Sequence, residues 1–172
     1  GRIRGGGLPG GILIEVFGPS GSGKTVLLSE IAGAVQRQQG DIMFADPEAR
    51  LNTQFAAIFG LDLRPEDYSR PDTVNGLFKT ISEWEPTSFK KKKINGIFAD
   101  SLAALSTEME MESSDKMGMK RAKDFSEQFR KICRVLADKN FLMVCSNQIR
   151  VNTEAGAYGQ KYNTPGGLAD GN

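Results

Sequence analysis

The chain has 172 residues, 39% of them hydrophobic and 25% charged, which is ordinary for one globular domain with a real core. Its 22 basic and 21 acidic residues nearly cancel, so no overall field draws it toward nucleic acid or membrane. The absence of histidine and the presence of only two cysteines argue against a zinc site. No apolar run approaches the ~18 residues of a membrane span, and residues 1–11 lack a signal-peptide core, so we expect a cytoplasmic protein without membrane contact.

Hydrophobic periodicity predicts strands that alternate with helices. A flexible glycine-rich lead-in, residues 1–11, precedes the first strand, and a polar stretch, residues 147–172, follows the last one. Strands are predicted over 12–17, 41–45, 94–99 and 141–146, and helices over 26–38, 52–59, 73–84 and 122–136, with a possible short strand between the second and third helices. This alternation predicts a single α/β domain with a mostly parallel sheet.

Four local features refine this outline. Gly40 is expected to stop the first helix, and Asn52 to cap the second. Residues 107–119 indicate a loop or a frayed helix start. Cys133 and Cys145 both lie among apolar residues, so both are predicted to be buried packing thiols.

A glycine-rich loop stands between the first strand and the first helix. It fits the pattern G-x-x-x-x-G-K-[ST] and consists of Gly18, Pro19, Ser20, Gly21, Ser22, Gly23, Lys24 and Thr25. In such loops backbone N–H groups and the following helix N-terminus face the phosphates of a nucleotide. Lys24 would reach the β- and γ-phosphates, and the Thr25 hydroxyl would hold the accompanying magnesium ion. The strand, loop and helix come in the order that this chemistry requires.

Acidic residues at the ends of the neighbouring strands are candidates for the rest of the site. Asp100 follows an apolar strand and is expected to join Thr25 around the metal, although many strands end in an aspartate that only caps a turn. Asp46 and Glu48 both stand where a carboxylate could activate water, and the pattern alone does not choose between them. Gln148 could sense the γ-phosphate by hydrogen bonding, but the residues alone favour a solvated turn.

Several segments together resemble the ATPase core of the bacterial RecA recombinase family. They are Gly6-Gly7-Leu8-Pro9, the glycine-rich loop, residues 44–51, Arg70-Pro71-Asp72-Thr73, residues 100–105, Met117-Gly118, Asn147-Gln148-Ile149-Arg150 and Thr164-Pro165-Gly166-Gly167. The resemblance spans almost the whole chain in order. It implies a RecA-like P-loop NTPase fold, with a mostly parallel sheet and helices on both faces. Ser20 departs from it, since the family usually has glutamate there.

The resemblance also implies roles for individual residues. Glu48 matches the glutamate that activates the attacking water, and Gln148 the glutamine that couples the γ-phosphate to DNA, so the catalytic set would be Lys24, Glu48 and Gln148. Asn52 and Phe55 fall where the family contacts adenine. Two further segments correspond to DNA-binding loops, with Met117, Gly118, Arg150, Tyr158, Lys161, Gly166 and Gly167 as the matching residues. Met117 would be the apolar wedge of the first loop, and filling a gap in the core is its alternative role.

The implied activity is DNA-dependent hydrolysis of ATP with Mg²⁺, coupled to homologous strand exchange between single- and double-stranded DNA. Another RecA-fold ATPase, such as a helicase or a regulatory switch, is an alternative, as is a core that binds nucleotide without turnover. The sequence does not contain the family's N-terminal polymerisation segment or the lysines that a neighbouring subunit supplies to ATP. Filament formation is therefore expected of a longer protein rather than of these residues.

Overall fold

A computed structural model of the chain describes residues 7–87, 93–105, 117–148, 150–151 and 162–163. Its strands are β1 (Ile12–Gly18), β2 (Ile42–Ala45), β3 (Tyr68–Ser69), β4 (Gly96–Ala99), β5 (Leu142–Gln148), β6 (Arg150–Val151) and β7 (Tyr162–Asn163). Its α-helices are α1 (Lys24–Arg37), α2 (Thr53–Ile58), α3 (Val74–Glu83) and α4 (Met117–Lys139), with short 3-10 helices at Pro65–Asp67 and Leu102–Ala104.

Five strands form one parallel sheet in the order β1-β5-β4-β2-β3. Alternate residues of the buried strands face opposite sides, because successive side chains of a strand point to opposite faces. Phe44 and Phe98 pack with Leu28 of α1 and Ala56 of α2, whereas Met143 packs on the other face with residues of α3 and α4. The predicted α/β class, with helices on both faces of a parallel sheet, is confirmed.

The helix boundaries follow local capping chemistry. The side chain of Asn52 accepts a hydrogen bond from the backbone N–H of Phe55 at 2.9 Å, and Thr73 does the same for Gly76 at 3.0 Å. Each cap satisfies one N–H group that has no partner inside its helix. The short strand suspected before α3 is β3.

The end of α1 differs from the prediction. The left-handed residue after this helix is Gln39, with φ 63°, rather than Gly40. Gly40 instead donates its backbone N–H to Val35 and lies so close to the next segment that a Cβ atom would stand 1.9 Å from the carbonyl oxygen of Ile94. Glycine is required here for close approach of two backbones, not for its dihedral angles.

Cys133 was predicted to be buried, and this is wrong. Cys145 is buried in the sheet, and burial raises the pKa of its thiol, but Cys133 is exposed on α4. Helix α4 packs through residues such as Ile132 and Leu136, and each step along a helix turns by about 100°, so Cys133 points away from the face that Ile132 presents. Both thiols are free.

The early start of α4 and a short pair of strands near the end of the chain were not predicted. Helix α4 already begins at Met117, inside the segment predicted as a loop or frayed start, and residues 106–116 lie outside the described part. Strands β6 and β7 form an antiparallel pair within the polar stretch, residues 147–172, for which no strand was predicted. Among the described residues, no helix is both long and apolar enough to cross a membrane.

Replacing Gly40 by alanine should destabilise the fold. The added methyl group would overlap the Ile94 carbonyl, and relieving such overpacking costs about 3 kcal/mol. Chemical denaturation followed by circular dichroism measures this change. Gly7→Ala is the matched control, because its Cβ would meet nothing within 4 Å. Equal unfolding free energies for the two variants would contradict the described contact.

Candidate functional site

The carboxyl ends of the central strands meet at one edge of the sheet. Gly18 at the end of β1 is the register partner of Gln148, and Ala99 at the end of β4 is the partner of both Ala45 and Cys145. The residues that follow these strands therefore converge. They surround a cavity of about 310 Å³, which is lined by Ser20, Gly21, Gly23, Lys24, Thr25, Val26, Asp46, Glu48, Arg50, Leu51, Asp100 and Ser101.

The glycine-rich loop forms one wall of this cavity. Gly21 and Gly23 adopt φ angles of 76° and 84°, a left-handed backbone that glycine enters at little cost. Lys24 Nζ donates to the carbonyl oxygens of Gly18 at 2.9 Å and Pro19 at 2.8 Å, which holds the ammonium group over the loop. Helix α1 starts here without a side-chain cap and without acidic residues in its first turn. This is the arrangement that favours an anion at a helix N-terminus.

Asp100 connects three elements at the floor of the cavity. Its Oδ2 accepts a hydrogen bond from Thr25 Oγ1 of α1 at 2.5 Å, and its Oδ1 accepts one from Ser146 Oγ of β5. Oxygen atoms are the ligands that Mg²⁺ prefers, so Thr25 and Asp100, which lie side by side, fit a magnesium ion in chemical type. Within the described residues, no cluster of three or more His, Cys, Asp or Glu side chains offers a different metal site.

Asp46 borders the cavity but is almost fully buried, and its carboxylate is bound by neighbouring groups. It is 2% exposed, and its carboxylate accepts from the backbone N–H groups of Arg50 at 3.2 Å and Leu51 at 2.8 Å and from the Tyr68 hydroxyl at 2.7 Å. Burial raises the pKa of Tyr68, and the bond to Asp46 raises it further against the lowering effect of Arg70. The phenol thus remains a hydrogen-bond donor, and Asp46 is committed to holding the turn after β2.

Glu48 has a more open position than Asp46. Its side chain is 19% exposed and lines the cavity. Oε1 accepts from Ser101 Oγ at 3.1 Å, and Oε2 pairs with the Arg50 guanidinium at 2.9 Å. The two carboxylates that the pattern left equivalent therefore have different environments, and Glu48 is the one whose contacts leave it facing the cavity.

The residues expected at adenine lie further out. Asn52 and Phe55 do not line the cavity, although Leu51 beside them does. Asn52 caps α2, and Phe55 is 47% exposed with its ring edge-on to Phe59 at 5.0 Å between centroids. A partly exposed aromatic ring is compatible with stacking on a base, and this role stays a prediction.

The residues expected to couple the site to DNA are described only in part. Gln148 ends β5 beside Gly18, so its backbone adjoins the first residue of the glycine-rich loop. Arg150 lies in β6, opposite Asn163, only two positions beyond Gln148. Met117 and Gly118 begin α4. Tyr158, Lys161, Gly166 and Gly167 lie outside the described residues.

Three residues that contact the site were missed by sequence reasoning. Ser101 and Ser146 hold Glu48 and Asp100. A small hydroxyl residue at the end of each buried strand was a usable signal, because such ends meet at one edge of a parallel sheet. Tyr68 gave no signal, since its contact with Asp46 joins residues 22 positions apart.

Replacing Asp46 by alanine should destabilise the protein by about 2 kcal/mol, because buried donors would lose their acceptor. The matched variant is Glu48→Ala, which removes a more exposed pair and should cost less than about 1 kcal/mol. Thermal and chemical unfolding measure both. Comparable losses would contradict the division between a structural Asp46 and a cavity-facing Glu48.

Comparison with known proteins adds an independent observation. The model of the RecA N-terminal domain matches residues 3–170. Protein RecA of Delftia acidovorans is 32% identical over 166 residues, covering 95% of this chain and 44% of that protein. Protein RecA of Acholeplasma laidlawii is 35% identical over 95% of this chain and 49% of its own length. A mitochondrial DNA repair protein recA homolog of Dictyostelium discoideum is 34% identical over 95% of this chain and 36% of its own length.

The chain thus spans less than half the length of each of these relatives. The family match nevertheless extends over nearly all of the chain itself. It agrees with the parallel sheet and the glycine-rich loop described above. The chain belongs to the RecA family.

Proposed function

We propose that this chain is the ATP-binding core of a DNA recombination and repair protein that hydrolyses ATP in response to single-stranded DNA. The observation that carries the proposal is the convergence of Lys24, the Thr25–Asp100 pair and Glu48 on one cavity at the carboxyl edge of the sheet. Ligands of open α/β sheets bind at this edge. Family membership supports the choice of DNA as the partner.

The glycine-rich loop would bind the phosphates. Its backbone N–H groups and the start of α1 present positive partial charge, and Lys24 adds a full charge at the same wall. Lys24 already donates to two loop carbonyls, so its ammonium group is placed before any ligand arrives. A side chain that is held in position loses less conformational entropy on binding.

Thr25 and Asp100 would hold the magnesium ion, which when bound neutralises charge on the phosphates. Ser146 keeps the Asp100 carboxylate in place by occupying its second oxygen. The protein's own contribution is therefore an oxygen pair whose orientation is fixed by two neighbouring elements, α1 and β5.

Glu48 would orient and deprotonate the attacking water. Its carboxylate is held between Ser101 and Arg50, at the cavity and on the strand end next to Asp100. A carboxylate held in one orientation accepts a proton more effectively than a mobile one, because the geometry of proton transfer is already set.

Gln148 would connect nucleotide to DNA. It ends the strand that pairs with Gly18, and the chain continues within two residues into the β6–β7 pair. A shift of the Gln148 backbone would therefore be passed directly to these strands. We propose that the segment from Arg150 to Gly167 contacts the DNA backbone, and that Met117 and Gly118 contribute from the start of α4. Strand exchange and filament formation are proposed only for a protein as long as these relatives.

Lys24→Ala should weaken binding of a magnesium–ATP complex about 30-fold, because charge-assisted hydrogen bonds to phosphate would be lost. Isothermal titration calorimetry with a non-hydrolysable ATP analogue measures this. Lys79→Ala is the control, since Lys79 lies exposed on α3 and does not line the cavity. Unchanged affinity in Lys24→Ala would remove the nucleotide site from the glycine-rich loop.

Glu48→Gln should leave nucleotide binding nearly intact but lower ATP hydrolysis at least ~100-fold, because the amide cannot accept the water proton. The measurement is phosphate release with and without single-stranded DNA. A variant that hydrolyses ATP at the parental rate would exclude Glu48 as the base. A parent chain that binds ATP without turnover under both conditions would contradict the ATPase part of the proposal.

A further inference from the structure

Arg50 is a second cation at the cavity besides Lys24, and the proposed chemistry above does not use its charge. Its guanidinium lies 2.9 Å from Glu48 Oε2, while the Ser101 hydroxyl occupies the other oxygen of the same carboxylate. Although the Arg50 side chain is 76% exposed, this contact turns it to the cavity, which it lines together with Glu48.

The backbone around Arg50 is shaped to bring this pair together. The N–H of Ala49 donates to the Asp46 carbonyl at 3.1 Å, and the N–H of Arg50 donates to the Asp46 carboxylate at 3.2 Å. Between Glu48 and Arg50, Ala49 adopts φ 55°, a left-handed conformation that costs a non-glycine residue about 1 kcal/mol or more. The turn is anchored by the buried Asp46, so a strained backbone is maintained where it sets the position of Arg50.

The charges that line the cavity indicate what the Arg50 guanidinium can do there. Three carboxylates line it, those of Asp46, Glu48 and Asp100. Asp46 and Asp100 accept hydrogen bonds from uncharged hydroxyl and backbone N–H donors. The Glu48 carboxylate, by contrast, forms an ion pair with the Arg50 guanidinium. A terminal phosphate brought near Glu48 would be repelled by its carboxylate, and a neighbouring guanidinium reduces that repulsion.

We propose that Arg50 is a positioning residue that neutralises and orients Glu48, so that the water-activating carboxylate can stand beside the terminal phosphate of a nucleoside triphosphate. The inference rests on the proposed nucleotide site. Arg50 acts here through Glu48 and not by contacting the phosphate. It should therefore matter more for a triphosphate than for a diphosphate, whose end lies further from Glu48.

A double-mutant cycle of Arg50 and Glu48 tests this relation. The proteins are the parent chain, Arg50→Ala, Glu48→Gln and Arg50→Ala/Glu48→Gln, titrated with magnesium and a non-hydrolysable ATP analogue, and then with ADP. Arg50→Ala should weaken analogue binding about tenfold and ADP binding much less, because it leaves Glu48 unneutralised. The double variant should return to within about twofold of the parent, since the repelling charge is gone.

Arg50→Lys separates charge from shape and should retain most of the affinity for the analogue. Unfolding midpoints of all variants should stay close to that of the parent, because an exposed ion pair contributes little stability. If the double variant binds as weakly as Arg50→Ala, Arg50 contacts the phosphate directly and the proposal is overturned. Equal affinities of the parent and Arg50→Ala overturn it as well, while the nucleotide site stands. A parent that binds neither nucleotide overturns the proposed function itself.

Discussion

The site depends on the two hydrogen bonds that the Asp100 carboxylate accepts from Thr25 and Ser146. Asp100 follows β4 and is held by Thr25 of α1 and Ser146 of β5, so one side chain joins the glycine-rich loop's helix to two strands of the sheet. Both hydroxyls donate to it, and both of its oxygens are used. Such a network is rigid only while every polar group in it has a hydrogen-bond partner. Because both Asp100 oxygens have partners, the ends of β4 and β5 and the start of α1 are held in fixed relative positions.

The parallel register of β1 and β5 connects this site to the segment that follows β5. Pairing of Gly18 with Gln148 brings the end of β5 to the beginning of the glycine-rich loop, and the short β6–β7 pair follows immediately. A nucleotide-dependent change in the loop could therefore pass through the β1–β5 strand pairing to Gln148, and from there along the chain toward the segment proposed to contact DNA. On the opposite side of the cavity, Asp46 fixes the turn that presents Glu48 and Arg50. The residues that hold the site together, such as Asp46 and Ser146, are buried, whereas Glu48, which is proposed for the chemistry, is more exposed.

Local chemistry was readable from the sequence, and long-range partners were not. The strand–loop–helix unit, the Asn52 cap and Asp100 at a strand end each follow from neighbouring residues alone. The distinction between Asp46 and Glu48 depends on Tyr68 and Ser101, which come from other strand ends, so the pattern could not make it. Cys133 was misplaced because periodicity does not define how far a helix face is covered by its neighbours. Gly40 serves a backbone contact with Ile94 that only the fold brings about.

A calorimetric titration of the chain with a non-hydrolysable ATP analogue tests whether these strand ends form a magnesium–nucleotide site. It is carried out at matched ionic strength, once with Mg²⁺ and once with a chelator. The Thr25–Asp100 oxygen pair beside Lys24 predicts saturable binding at one site per chain that weakens markedly when magnesium is removed. Absence of saturable binding, or an affinity that does not depend on magnesium, would contradict a magnesium–nucleotide site at these strand ends.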